Sequence, residues 1–211
     1  MKTRLVFLIT TALIATSCGL IDSDIKADEN IGGTTVASGK VGNVYDLGGS
    51  IGLSAFKAEV KTLDDGVSSI SGSMSVTDPK LLEFAKSSPD FKINGSNISV
   101  SKKFRITDKG IQNVLDDGNF TLIEYDGAVG DKYTHKIDGK KVTREITYKS
   151  TDNDYAWGFL DIKVMKVTET GRSIPGVKKL EYIFNHKFGI VGAKAYFDDG
   201  TEKIISIFSQ N

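Results

Sequence analysis

Phe56-Lys57-Ala58-Glu59-Val60-Lys61-Thr62-Leu63-Asp64-Asp65-Gly66-Val67-Ser68-Ser69-Ile70-Ser71-Gly72-Ser73-Met74-Ser75-Val76 is the stretch that decides the fold. Phe56, Ala58 and Val60 alternate with Lys57, Glu59 and Lys61. After Asp64-Asp65-Gly66, the run Ile70, Gly72, Met74 and Val76 alternates with Ser71, Ser73 and Ser75. Successive side chains of a strand point to opposite faces, so each run has one apolar and one polar face. Two such runs around Asp-Gly predict an antiparallel hairpin, because Asp and Gly tolerate the positive φ of a tight turn.

The same device recurs on both sides of this hairpin. Asp-Gly pairs stand at Asp117-Gly118, Asp126-Gly127, Asp138-Gly139 and Asp199-Gly200, and Asn94-Gly95 is a further turn candidate. Between them the apolar positions keep a period of two. Ile98, Val100, Phe104 and Ile106 form one set, and Tyr133, His135 and Ile137 another. Val142, Arg144, Ile146 and Tyr148 follow, then Leu180, Tyr182 and Phe184, then Val191, Ala193, Ala195 and Phe197, and last Ile205 and Ile207. Leu160, Ile162 and Val164 begin a strand that Met165 and Val167 continue on the other parity, which predicts a bulge. A helix is expected over 79–86, with Asp78 as its cap, Pro79 in its first turn, and Leu81, Leu82 and Ala85 buried. The expected fold class is mostly β: a single antiparallel meander domain, either a half-barrel or a closed barrel or sandwich, with one short helix.

The N-terminus reads differently. Lys2 and Arg4 precede an apolar run, Leu5 to Ile14, that is too short to span a bilayer, and Ala15-Thr16-Ser17 then leads to Cys18, the single cysteine of the chain. This is the pattern of a secretory signal peptide. A cysteine directly after small residues resembles the lipobox of bacterial lipoproteins, although Ala15 stands where Leu is favoured. The resemblance implies cleavage before Cys18 and lipidation of its thiol. Several acyl chains would anchor firmly, since each buried CH₂ contributes about 0.8 kcal/mol. The expected organisation is a signal peptide over 1–17, a lipidated flexible tether over 18–42 and a β domain over 43–211. The expected location is the cell envelope, with the outer membrane preferred to the inner.

Removing the first 17 of 211 residues leaves 194, ample for one domain with a core. The whole chain carries 27 basic and 27 acidic residues; without Lys2 and Arg4 the balance is near −2, so no basic excess invites nucleic acid.

In the second half three pieces stand out: Val129-Gly130-Asp131-Lys132-Tyr133, then Trp157-Gly158-Phe159 entering Asp161-Ile162-Lys163-Val164, and Phe188-Gly189-Ile190-Val191. Their arrangement resembles that of uncharacterised bacterial envelope lipoproteins with curved antiparallel sheets, related in shape to the carriers LolA and LolB. The resemblance covers about 40% of the chain and implies a concave sheet with an apolar hollow.

No residue set is assigned to catalysis. There is no G-x-S-x-G elbow, and the cysteine is committed to lipid. His135 and His186 stand apart with no zinc spacing. Asp152-Asn153-Asp154 and the pair Asp126 and Asp131 offer oxygen ligands, but neither continues as a calcium loop, so no metal and no cofactor is assigned. Binding is therefore favoured over enzymatic activity. The first expectation is a carrier that holds a lipid or apolar small molecule, with Trp157, Leu160, Ile162, Tyr182 and Phe184 as the candidate wall. The second is a structural lipoprotein that contacts other envelope proteins or glycans through its outer face. Tyr155, Trp157 and Phe159 are expected to point into the core.

Overall fold

Each alternating run becomes a strand. The computed structural model describes residues 25–48, 52–88 and 90–210. Its strands are β1 (Val44–Gly48), β2 (Leu53–Asp64), β3 (Val67–Val76), β4 (Phe91–Asn94), β5 (Asn97–Ile106), β6 (Gly110–Leu115), β7 (Gly118–Glu124) and β8 (Lys132–Ile137). They continue as β9 (Lys140–Lys149), β10 (Tyr155–Trp157), β11 (Leu160–Ile162), β12 (Met165–Thr170), β13 (Val177–Asn185), β14 (Gly189–Phe197) and β15 (Glu202–Gln210). The helix α1 (Pro79–Lys86) is capped as expected: the Asp78 side chain accepts a bond from the Leu81 N–H. The signal peptide over 1–17 and the anchor residue Cys18 lie outside the described residues.

Among the described residues, thirteen strands form one antiparallel sheet in the order β7-β6-β5-β3-β2-β1-β15-β14-β13-β12-β9-β8, with β4 added beside β5. The two ends of this path, β7 and β8, come back side by side, so the sheet is a nearly closed barrel. Asp65-Gly66 and Asp138-Gly139 have positive φ at both turn residues, as two-residue hairpins require. The strand expected from Leu160 through Val167 is instead two, β11 and β12, so the parity change at Met165 marks a break between strands. A bulge does occur nearby, but on β9, where Thr147 is the extra residue opposite Lys166 and Val167.

Inward positions follow the parity read from sequence. Tyr45, Ala58 and Val60 pack in one group; Ile106, Leu122, Ile146, Val167 and Phe184 pack in another. Outward positions on β2, β3 and β5 carry Lys57, Glu59, Ser71, Ser73, Ser101 and Lys103, and Ser71 and Ser101 hydrogen-bond each other across the ladder. The outer face of these three strands is polar.

Two departures from the sequence reading have clear physical causes. Residues 25–42 were expected in a tether, yet they are strapped to the barrel. The Asp28 N–H donates to Asn119 O, the Asp28 carboxylate accepts from the Thr121 N–H at 2.6 Å, and the Asp108 carboxylate accepts from the Thr34 N–H. Buried Gln112 donates to Glu29 O and accepts from the Ile31 N–H. A polar segment can pack this way because strand-edge and interior polar groups otherwise lack partners. Gly118 makes room for it, since a Cβ there would collide with Ala27.

The second departure is the hairpin β10–β11, which leaves the barrel and folds over its outside. Trp157, Ile162 and Val164 cover Ile183 and Val191, and Trp157 stacks between Phe188 and Phe208 with centroids 4.7 and 4.9 Å away.

Candidate functional site

The barrel has two ends. One carries the β2–β3, β5–β6 and β13–β14 turns, and the strap runs toward it from the β6–β7 turn, from Asp28 beside Asn119 to Thr34 beside Asp108. The other carries the β6–β7, β8–β9, β12–β13 and β14–β15 turns and α1. Into this second end opens a cavity of about 630 Å³, within the roughly 300–1,000 Å³ typical of small-molecule sites. Its apolar lining comes from Phe84 of α1, Phe91 of β4, Phe104, Leu115, Phe120, Leu122, Leu180, Tyr182 and Ile190. Ile174, tucked in from the loop between β12 and β13, adds to it. Farther in, a second cavity of about 220 Å³ is almost purely apolar and shares Phe104, Leu122 and Ile190 with the first. Tyr45, Phe56, Ile106, Phe184 and Ile207 complete it.

A buried ion triad sits beside the larger cavity. Arg144 on β9 and Glu169 on β12 are cross-strand partners, so both point inward at the same level. Arg144 Nε donates to Glu169 Oε2 at 2.7 Å, while Arg172 donates from Nε to Oε1 at 2.6 Å and from Nη2 to Oε2 at 3.1 Å. Arg144 is 2% and Glu169 1% exposed. Burial pushes the Glu169 carboxyl upward, but the two guanidiniums outweigh it and leave its pKa below the ordinary glutamate range. Burial alone would lower the Arg172 pKa; the shared carboxylate reverses that and holds it raised.

Arg144 also ties the two edges of the sheet together across the β7–β8 seam. Its Nη1 donates to Phe120 O at 3.0 Å and Thr121 O at 3.1 Å, and Nη2 donates to Asn113 Oδ1 at 3.0 Å. Its guanidinium lies 3.6 Å from the Phe120 ring centroid. His135 stacks on the same ring at 5.4 Å and pairs through Nε2 with Asp117 at 3.1 Å. Among the described residues no ladder bonds β7 to β8, so these side chains stand where backbone bonds would otherwise close the seam.

The sequence-derived candidates divide. Tyr182 lines the larger cavity and Phe184 the smaller. Trp157 and Ile162 belong to the cluster outside the barrel and do not reach either cavity, and Leu160 is exposed. The cause is the excursion of β10–β11: strands β13 and β14 are covered on both faces there, so apolar character does not mark the inside. Trp157 is core as expected and donates its indole N–H to Ile207 O, whereas Phe159 at the hairpin tip is 97% exposed. His186 lies exposed in the β13–β14 turn. The oxygen-rich loops serve as turn locks: Asp154 accepts from Ser150 and Tyr148, and Asp131 accepts from the Ala128 N–H. Arg144, Glu169 and Arg172 were not among the sequence candidates. The available signal was Arg144 standing on an otherwise apolar parity, between Val142 and Ile146.

The site is thus an apolar barrel hollow beside a buried ion triad. No protein-family model, curated protein or solved structure matches the chain.

Proposed function

We propose that this protein binds a lipid or apolar small molecule inside its barrel, and that it does so as an extracytoplasmic lipoprotein held to a membrane through Cys18. The observation that carries the binding reading is the pair of adjoining cavities, about 630 and 220 Å³, inside a barrel whose strands would otherwise pack their side chains together. The polar outer face of β2, β3 and β5 supports a domain standing in water on that side, with attachment left to the N-terminal segment. Among the described residues no helix is long and apolar enough to cross a membrane. We assign binding and no catalytic step.

Native mass spectrometry of the full chain, gently purified from a bacterial host, tests the binding reading. A co-purifying mass that leaves on denaturation is expected, and Ile190→Trp, which fills the junction of the two cavities, should remove it without loss of β circular dichroism. A bare protein mass that also takes up no apolar fluorescent dye would overturn the reading. The anchor is tested separately: Cys18→Ser should abolish acyl labelling and release the protein from membranes.

A second reading, contact with an envelope protein or glycan, draws on the tip of β10–β11, where Phe159 and Leu160 are exposed side by side. Loss of crosslinked partners on Phe159→Ser, with ligand uptake unchanged, would favour it.

A further inference from the structure

We infer that the ligand is an amphiphile with one anionic head, a carboxylate or a phosphate ester. The head lies against Arg172 in the larger cavity, and the chain runs past Phe104, Leu122 and Ile190 into the inner one. This rests on the binding reading above and adds the chemical class. The triad holds two guanidiniums and one carboxylate, so it carries one positive charge in excess in surroundings that disfavour an unbalanced charge. The excess is not distributed evenly. Arg144 spends four of its five N–H groups on Glu169, Phe120, Thr121 and Asn113. Arg172 spends two on Glu169, and its Nη1 has no protein acceptor among the described residues.

Arg172 also lines the cavity and its side chain is 21% exposed, so its free edge is open to a ligand. Asp90, whose charge reaches Arg172, is paired with Lys102, and none of the rim carboxylates Asp90, Asp116, Asp117 and Asp138 hydrogen-bonds the Arg172 guanidinium. A guanidinium fork matches the oxygens of a carboxylate or phosphate. The apolar inner cavity next door explains why a chain should follow the head. A free inorganic anion would leave that cavity unfilled.

The experiment uses the purified full chain and displacement of an apolar fluorescent dye by three twelve-carbon probes: laurate, dodecyl phosphate and dodecanol. Both anions are expected to displace the dye at least about tenfold more tightly than dodecanol. Arg172→Met should bring them down to the dodecanol level and leave dodecanol itself unchanged. The order of laurate and dodecyl phosphate then says which anionic head the site prefers. Equal displacement by all three would overturn the anionic head and leave the cavity reading standing. Failure of the dye and of every probe to bind would overturn both. The wild-type comparison decides the question even if Arg172→Met does not fold.

Discussion

The wall from β12 to β15 and the seam between β7 and β9 close the same barrel by different means. In the wall, β13 pairs with β14 along nearly its whole length and with β12 from Leu180 to Phe184, and the backbone supplies the cohesion. In the seam the ladder stops, and closure falls to a guanidinium, a stacked imidazole and a carboxylate from the strap. A ladder spreads its strength over many equivalent bonds and tolerates a change in any one side chain. A side-chain closure concentrates it in a few residues, and one of them, Arg144, also lines the larger cavity.

The largest expected effect comes from Arg144→Ala, which removes the seam bonds and strips Glu169 of a buried partner. Stability should fall by about 3–5 kcal/mol in chemical denaturation. Amide exchange should accelerate first at Asn119–Thr121 while β13–β14 stays protected. Uniform acceleration across both regions would erase the contrast. Next is Glu169→Gln, at about 3 kcal/mol near neutral pH. The sign follows from the depressed carboxyl: its stabilisation is complete above the ordinary glutamate pKa of about 4.3 and is lost as pH falls through the lower folded value. The gap between wild type and variant should therefore narrow between melts at pH 7 and pH 3; a constant gap would mean that charge is not what Glu169 contributes.

Asp28→Ala removes the strap's carboxylate from the Thr121 N–H and should cost about 1–2 kcal/mol, with faster exchange confined to that edge of β7. The smallest effect is expected for Thr147→Ala, on the outer face of the β9–β12 ladder where Thr147 meets Thr168. There the change should stay within about 0.5 kcal/mol, and a larger loss would show that the ladder too depends on single side chains.

The hairpins and the capped helix were legible because each depends on neighbours in sequence: Asp65-Gly66 for a turn, Asp78 and Pro79 for a helix start. Tyr182 and Phe184 were legible as wall residues for the same reason. The strap was not, because residues 26–35 carry no period and acquire their place only from partners such as Gln112 and Asn119, more than eighty positions away. Trp157 and Ile162 were misplaced because a strand covered on both faces gives no parity signal. The triad stayed hidden because Arg144, Glu169 and Arg172 meet only after β9 and β12 are in register.

The pairing of β1 with β15 has a kinetic consequence. Ser209 Oγ bonds Asn43 Oδ1 across 166 positions, and Val44 faces Gln210 in the ladder. The first strand of the sheet has to wait for the last before it gains its second neighbour. Closing so long a loop must precede the contacts that reward it, which places this barrel among slow folders. Until then β1 and β15 are open edges, and the chain is most exposed to wrong pairing in that interval.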